Sequence, residues 1–343
     1  MAFATTTTRH PVTSCPLGQT IQLVGKRYLP EKSNACGATL LFFHCAGSHK
    51  EAWEPTIQHI LEADASRAQG PVVREAWSFD MPNHGEAAVL NAGPLERLGR
   101  PLTVEDYAIG LRHFFSSAVL AGHRLVAIGH SLGATAMLLA TLPDESSPSP
   151  PPYEAVIMVE PSLISPECFK EHFDYQDGLL KATSQGVLKR RDVWRSREQA
   201  KEYFQKRFPW DSWDSRVLDL YVRHALREVD LVGEPQHQLS SKVALCCTKI
   251  QESDAYSYTA PHFRIVELFR SGMDPDLLVH WITGERDDIA PDYVHESVMK
   301  LRRVATSQEV PDAGHFVVQE NPDGLCAAIT NVLANFATPR AKL

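Results

Sequence analysis

The sequence predicts an α/β protein whose mostly parallel sheet is covered by helices on both faces. Short β-rich apolar runs alternate with longer helical stretches along the chain, the pattern of that class. A lone serine stands between two glycines in "LVAIGHSLGATAMLLA", residues 125–140, where a strand pattern gives way to a helix pattern. Between the strand ending at Glu160 and the one beginning near Leu277 lie over a hundred residues rich in charge and of helical pattern. They read as an inserted helical lid, 161–272, on a core formed by 1–160 and 273–343.

The strand runs, in order, are "TIQLVGKRYL" (20–29), "TLLFFH" (39–44), "REAWSFD" (74–80), "RLVAIGH" (124–130), "EAVIMVE" (154–160), "LLVHWITG" (277–284) and "SQEVP" (307–311). Helices are expected between them, near 51–65, 103–120, 132–141, 292–303 and 322–337. The last is amphipathic, with Leu325, Ile329, Val332, Leu333 and Phe336. "DESSPSPPP" (144–152) is too rich in Ser and Pro for a helix or an inner strand, so it is a surface loop. No internal repeat occurs at solenoid periods.

Composition narrows the functional classes. With 343 residues and 43% hydrophobic content the chain can bury a substantial core. A formal charge of −8 gives no overall cationic field, which argues against nucleic acid or an anionic membrane as a general partner. The seven cysteines, Cys15, Cys36, Cys45, Cys168, Cys246, Cys247 and Cys326, form no Cys-x-x-Cys pair and no metal-ligand spacing against the histidines. They read as free thiols of a reducing compartment. The N-terminus has no apolar core of signal-peptide length, and no apolar run approaches the ~18 residues of a membrane span. A soluble, unsecreted protein is expected. The chain ends "PRAKL", and Ala341-Lys342-Leu343 is a one-residue variant of the Ser-Lys-Leu import tripeptide. It predicts a peroxisomal location, with the import receptor as partner.

Gly129-His130-Ser131-Leu132-Gly133 lies between "RLVAI" and "LGATAMLLA". A serine on so sharp a turn is held in strained backbone geometry that exposes its hydroxyl, and side chains in place of the glycines would clash with strand and helix. This is the nucleophile elbow of the α/β-hydrolase fold, with Ser131 as nucleophile. A serine hydroxyl needs a base. His315, in "VPDAGHFVVQENPD", lies after the last strand and before the last helix, in the hydrolase order of serine, acid, histidine. Two carboxylates compete to orient it. Asp287 in "WITGERDDIAPDY", with Asp288 beside it, follows the penultimate strand; Glu160 in "VIMVEPSL" follows the strand after the nucleophile helix. Position in the chain favours Asp287.

The loop within "LFFHCAGSHKEAW" (41–53) supplies half of an oxyanion hole, so the backbone N–H groups of Ala46 and Leu132 are expected to face the developing negative oxygen. In "FDMPNHGEA" (79–87), Asp80 and Gly85 stabilise the next turn and His84 is structural.

Together "GHSLG", "HCAGSHKEAW", "DMPNHGEA", the stretch from Arg190 to Arg227, "GERDDIAP" and "DAGHF" resemble the fungal peroxisomal α/β-hydrolases. That group includes the AK-toxin biosynthesis hydrolases, the acyl-CoA hydrolase of mycophenolic acid biosynthesis and, more distantly, yeast peroxisomal lipase. The likeness spans roughly residues 20–340. It implies a serine hydrolase of acyl thioesters or esters, imported into peroxisomes and often serving secondary-metabolite pathways. By position it implies Ser131 as nucleophile and His315 as base. In the mycophenolate-type enzyme the acid, an aspartate, follows the strand after the nucleophile helix. That position is Glu160 here, so both carboxylates stay open.

The expected reaction is two-step acyl transfer to water, which requires no metal or organic cofactor. The lid's cations, Lys189, Arg190, Arg191, Arg195, Arg197, Lys201, Lys206 and Arg207, either receive the phosphates of coenzyme A or form a solvated helix face. Trp194, Phe204, Phe208, Trp210 and Trp213 suit an apolar acyl chain or helix packing. Serine at the elbow argues against dehalogenases and epoxide hydrolases of this fold, which attack with aspartate. An esterase or lipase acting on neutral esters is the closest alternative, and a non-catalytic ligand-binding protein a further one.

Overall fold

Eight strands form the central sheet: β1 (Phe3–Thr13), β2 (Thr20–Pro30), β3 (Ala38–Phe43), β4 (Val73–Phe79), β5 (Arg124–His130), β6 (Tyr153–Val159), β10 (Leu278–Gly284) and β11 (Thr306–Val310). Between β6 and β10, the short β7 (Val193–Trp194), β8 (Leu226–Val229) and β9 (Lys242–Leu245) make a second, antiparallel sheet. The computed structural model describes residues 3–13, 17–142, 153–229 and 242–336. Cys15, the Ser/Pro-rich stretch and Ala341-Lys342-Leu343 lie outside the described residues.

The main sheet runs β1-β2-β4-β3-β5-β6-β10-β11, antiparallel at the β1/β2 and β2/β4 pairs and parallel from β4 onward. The expected strands are present, each within one residue of its expected bounds. β3 is buried along its whole length and β5 nearly so, as the near-continuous apolar runs of a doubly covered parallel sheet require. β1 is not anticipated from the sequence. Its threonines suit a strand, but it is an edge strand paired with β2 alone and mostly exposed, so it carries no apolar alternation.

One face of the sheet packs Tyr107, Phe114, Met137 and Trp281, and the other packs Trp53, Ile57, Ile329 and Leu333. Helix Val104–Phe115 starts at a capping box in which Thr103 and Asp106 satisfy each other's backbone N–H. Helices Glu54–Ala65 and Pro322–Leu333 pack against each other on the second face. Burying Ile329 completely stabilises that face by about 2 kcal/mol.

The segment between β6 and β10 holds the helices Pro166–Glu171, Phe173–Lys189, Arg197–Phe204, Ser215–His224, Lys249–Asp254 and Ala260–Glu267. It is not helical throughout, because β7, β9 and β8 close over its own aromatic core of Trp194, Phe204, Trp210 and Tyr221. Ile265, Val266 and Phe269 bury in the main cluster beside Met137 and Trp281 instead. The six described cysteines are free thiols.

Candidate active site

Ser131 turns the chain from β5 into helix Leu132–Leu139 at a φ of 53°. A non-glycine residue persists in that region only where its surroundings hold it. Here the Ser131 N–H donates to the Val159 carbonyl at 3.0 Å, tying the turn to β6. A Cβ at Gly129 would come within 2.5 Å of the Ala134 Cα, and one at Gly133 would strike the Phe43 carbonyl oxygen. Contact with the helix and with β3 therefore demands both glycines.

His315, after β11, brings Nε2 to 3.1 Å from Ser131 Oγ and Nδ1 to 3.2 Å from Glu160 Oε2. All three residues are buried. Glu160, at a φ of 43° just past β6, donates its N–H to the Ile282 carbonyl at 2.9 Å. Its Oε1 accepts the Gly284 N–H at 2.8 Å. Burial opposes charge on Glu160, but the neighbouring imidazoles of His295 and His315 hold its carboxyl well below the usual carboxylate range. An ionised carboxylate only accepts hydrogen bonds, so Nδ1 of His315 carries the proton and Nε2 is left to accept from the serine hydroxyl.

Asp287, favoured by chain position, does not meet the His315 ring in this arrangement. It is exposed, while both ring nitrogens of His315 are engaged by Glu160 and Ser131. The loop after β10 serves the histidine through Asp288, whose Oδ1 accepts the His315 backbone N–H at 3.0 Å.

The nearby histidines organise backbone. Burial pushes His130 down to about 3, so it stays neutral, and its Nε2 lies 2.7 Å from the His315 carbonyl, to which it donates. Burial likewise pushes His44 to about 3 and His84 well down. Nε2 of His84 accepts the Gly47 N–H at 2.9 Å, and Nε2 of His44 accepts the Met81 N–H at 3.0 Å. They hold the loop that carries Ala46. Ala46 and Leu132 line the same cavity as Ser131 and His315, and Leu132 opens its helix, where a backbone N–H has no carbonyl partner within the helix. Asp80 accepts both the backbone N–H and the Nζ of Lys50, at 2.8 and 2.9 Å. A Cβ at Gly85, whose φ is 52°, would stand 2.6 Å from Asp80 Oδ1.

Sequence reasoning passed over three residues. Ser162 places Oγ 2.7 Å from Ser131 Oγ. His295 places Nε2 3.3 Å from Glu160 Oε2, without hydrogen-bond geometry. Lys50 is buried yet charged, because Asp80 and Glu51 more than offset its burial. The one legible signal was the serine two positions after Glu160 in "EPSL".

The cavity at Ser131 is about 170 Å³, with apolar walls that include Leu163, Phe169 and Phe263. It shares Cys45, Ala46, Leu179 and Thr183 with an outer basin of about 710 Å³ walled by Phe208, Trp210 and Trp213. Trp194 and Phe204 instead bury in the insertion's own core. Of the eight cations, Arg190, Lys206 and Arg207 line the basin. Arg190, half-buried, pairs with the buried Glu252, Arg191 donates to the Val193 carbonyl, Arg197 donates to the Val222 and Leu226 carbonyls, and Lys201 pairs with Asp219. Lys189 and Arg195 are exposed. Among the described residues no group of three His, Cys, Asp or Glu is placed to hold a metal ion, and no helix is long and apolar enough to cross a membrane.

A mostly parallel sheet carrying a serine on a strained turn beside a carboxylate-bound histidine defines the hydrolase class. Residues 40–328 match the model of the alpha/beta hydrolase family, and the chain belongs to that family. Among solved structures it is similar to the peroxisomal alpha-beta-hydrolase Lpx1 from Saccharomyces cerevisiae, at 18% identity and a TM-score of 0.73 over 99% of this chain and 92% of that one. It is also similar to the thioesterase domain from the curacin biosynthetic pathway, at 13% identity and a TM-score of 0.61 over 96% of this chain and 99% of that one. An esterase of M. tuberculosis aligns at 14% identity and a TM-score of 0.59 over 96% and 92%. These likenesses show a common fold. Comparison with curated protein sequences gives no match.

Proposed function

We propose that the protein is a serine hydrolase that cleaves an acyl thioester or ester by two-step acyl transfer to water. One relay carries the reading: Ser131 Oγ lies 3.1 Å from His315 Nε2, whose Nδ1 lies 3.2 Å from the ionised Glu160. Ser131 attacks the carbonyl carbon as His315 takes its proton, and the Ala46 and Leu132 N–H groups receive the oxyanion. The imidazolium protonates the departing thiol or alcohol. Water then repeats the sequence, freeing the acid and restoring Ser131. Glu160, and not Asp287, is the acid of the triad, and the step needs no cofactor.

Two joined compartments support a thioester with an anionic leaving portion. The inner cavity suits an apolar acyl chain. Lys206 and Arg207, exposed at the outer basin, suit the phosphates of coenzyme A. The segment between β6 and β10 acts as a lid over both. A peroxisomal location is supported by the likeness of Ala341-Lys342-Leu343 to the Ser-Lys-Leu import tripeptide, and it is the location named for the yeast hydrolase of like fold. Resemblance to the toxin and mycophenolate hydrolases supports a reaction of secondary metabolism.

The test is release of free thiol from a panel of acyl-CoAs, beside p-nitrophenyl esters, by wild type and Ser131→Ala. Thioester turnover lost in Ser131→Ala supports the reading. Ester turnover alone makes the protein a carboxylesterase or lipase. Binding without turnover of either makes it a ligand-binding member of the fold and overturns the proposal.

A further inference from the structure

Ser162 lies in the loop Glu160-Pro161-Ser162-Leu163, which is fixed at several points. Glu160 is bonded through its N–H to Ile282 and through Oε1 to the Gly284 N–H. Pro161 restricts the backbone, the Leu163 N–H donates to the Pro161 carbonyl at 2.8 Å, and the Leu163 side chain is fully buried. The loop thus delivers two functional groups at once: the carboxylate on His315, and the Ser162 hydroxyl at 2.7 Å from Ser131 Oγ. Ser162 lines the same cavity as Ser131 and His315.

A proton count sets the direction of that contact. His315 Nδ1 donates to Glu160, so Nε2 accepts, and the single proton of Ser131 goes to it. The Ser162 hydroxyl is therefore the donor to Ser131 Oγ, and its own lone pairs are left to accept.

We propose that Ser162 is a further catalytic residue which, with His315 Nε2, holds the water that hydrolyses the acyl–Ser131 intermediate. The inference rests on the serine-hydrolase reading. Once Ser131 is acylated, its Oγ is an ester oxygen without a proton, and His315 Nε2 has lost its donor. Water takes that donor's place, giving one hydrogen to Nε2 and the other to Ser162 Oγ, which leaves a lone pair for the acyl carbon. The water oxygen bonds to that carbon as His315 accepts the first proton. The tetrahedral intermediate then collapses, the carbon–Oγ bond breaks, and the imidazolium proton passes to Oγ. The carboxylic acid leaves with the water's second hydrogen, and Ser162 is unchanged.

The experiment is rapid-mixing kinetics with a p-nitrophenyl ester, whose leaving group departs without assistance, on wild type, Ser162→Ala and Ser162→Thr. Ser162→Ala is expected to release a burst of nitrophenolate stoichiometric with active sites at close to the wild-type rate. Its steady state then slows roughly tenfold, the worth of one hydrogen bond to the water, and intact mass shows acyl enzyme accumulating. Ser162→Thr, which keeps the hydroxyl, restores the steady rate. Burst and steady state slowed alike, or a steady state unchanged, would overturn the role. If Ser162→Ala does not fold, Ser162→Cys, a near-isostere with a weaker acceptor, is read in the same way. Labelling wild type with a fluorophosphonate separates the two failures. No label on Ser131 removes the serine-hydrolase reading, whereas normal labelling with wild-type deacylation in Ser162→Ala removes only the role of Ser162.

Discussion

Glu160 is tied to Gly284: its Oε1 accepts the Gly284 N–H at 2.8 Å, which fixes the carboxylate so that Oε2 meets His315 Nδ1 at 3.2 Å. A glutamine at 160 can keep the first bond, but presents an amide N–H to Nδ1 and selects the wrong imidazole tautomer. Glu160→Gln should therefore lower kcat by about 10³–10⁴-fold. Asp287→Asn should stay near wild type, because Asp287 is exposed. Steady-state kinetics of the two variants side by side checks this.

Acid should destabilise the protein through its buried neutral histidines. Burial lowers His44 and His130 from 6.5 to about 3 and His262 to about 4. Between those values and 6.5 the unfolded chain binds protons that the native state refuses, so stability rises with pH. The contribution is fully present above pH 6.5 and is lost as pH falls toward 4 and then 3. For His262 alone the full loss is about 3 kcal/mol. Thermal unfolding at about pH 7, 5.5 and 4.5, across the histidine range, should show Tm falling steadily, with a shallower fall in His262→Gln.

Arg190, half-buried, ends the helix Phe173–Lys189 and pairs with the buried Glu252, whose carboxylate occupies the space beside Gly47. Arg190→Met leaves that carboxylate buried and unpaired, at a cost of about 3 kcal/mol. The double variant Arg190→Met/Glu252→Met should recover most of the loss. Urea denaturation of both variants measures it.

Lys206 and Arg207 are exposed cations of the basin, whereas Arg190 pairs with the buried Glu252. Reversing both to glutamate should raise KM for acyl-CoA substrates about tenfold while leaving KM for neutral p-nitrophenyl esters unchanged. Added salt should weaken the wild type's preference for the anionic substrate in the same direction.

The parallel strands and the elbow were legible because each is written locally. Apolar runs mark β3 and β5, and two glycines flank Ser131 because helix and strand leave no room for a Cβ. What was hidden depends on contacts between distant segments. Glu160 and Asp287 both follow strands at the same sheet edge, and only the bonds to Gly284 and His315, 124 and 155 residues away, distinguish them. Ser162 follows Glu160 by two positions, and only the fold lays it on Ser131. β1 escaped because an exposed edge strand needs no apolar face. The cationic stretch reads as one patch in sequence, yet packing divides it into structural arginines such as Arg190 and Arg197 and the open pair Lys206 and Arg207.

The most direct test of the account is covalent: incubate the protein with a fluorophosphonate and locate the adduct by peptide mass spectrometry, with Ser131→Ala as the control. The account predicts one stoichiometric adduct on Ser131, slowed in Glu160→Gln and absent from Ser131→Ala. An unmodified Ser131, or an adduct that persists in Ser131→Ala, would contradict it.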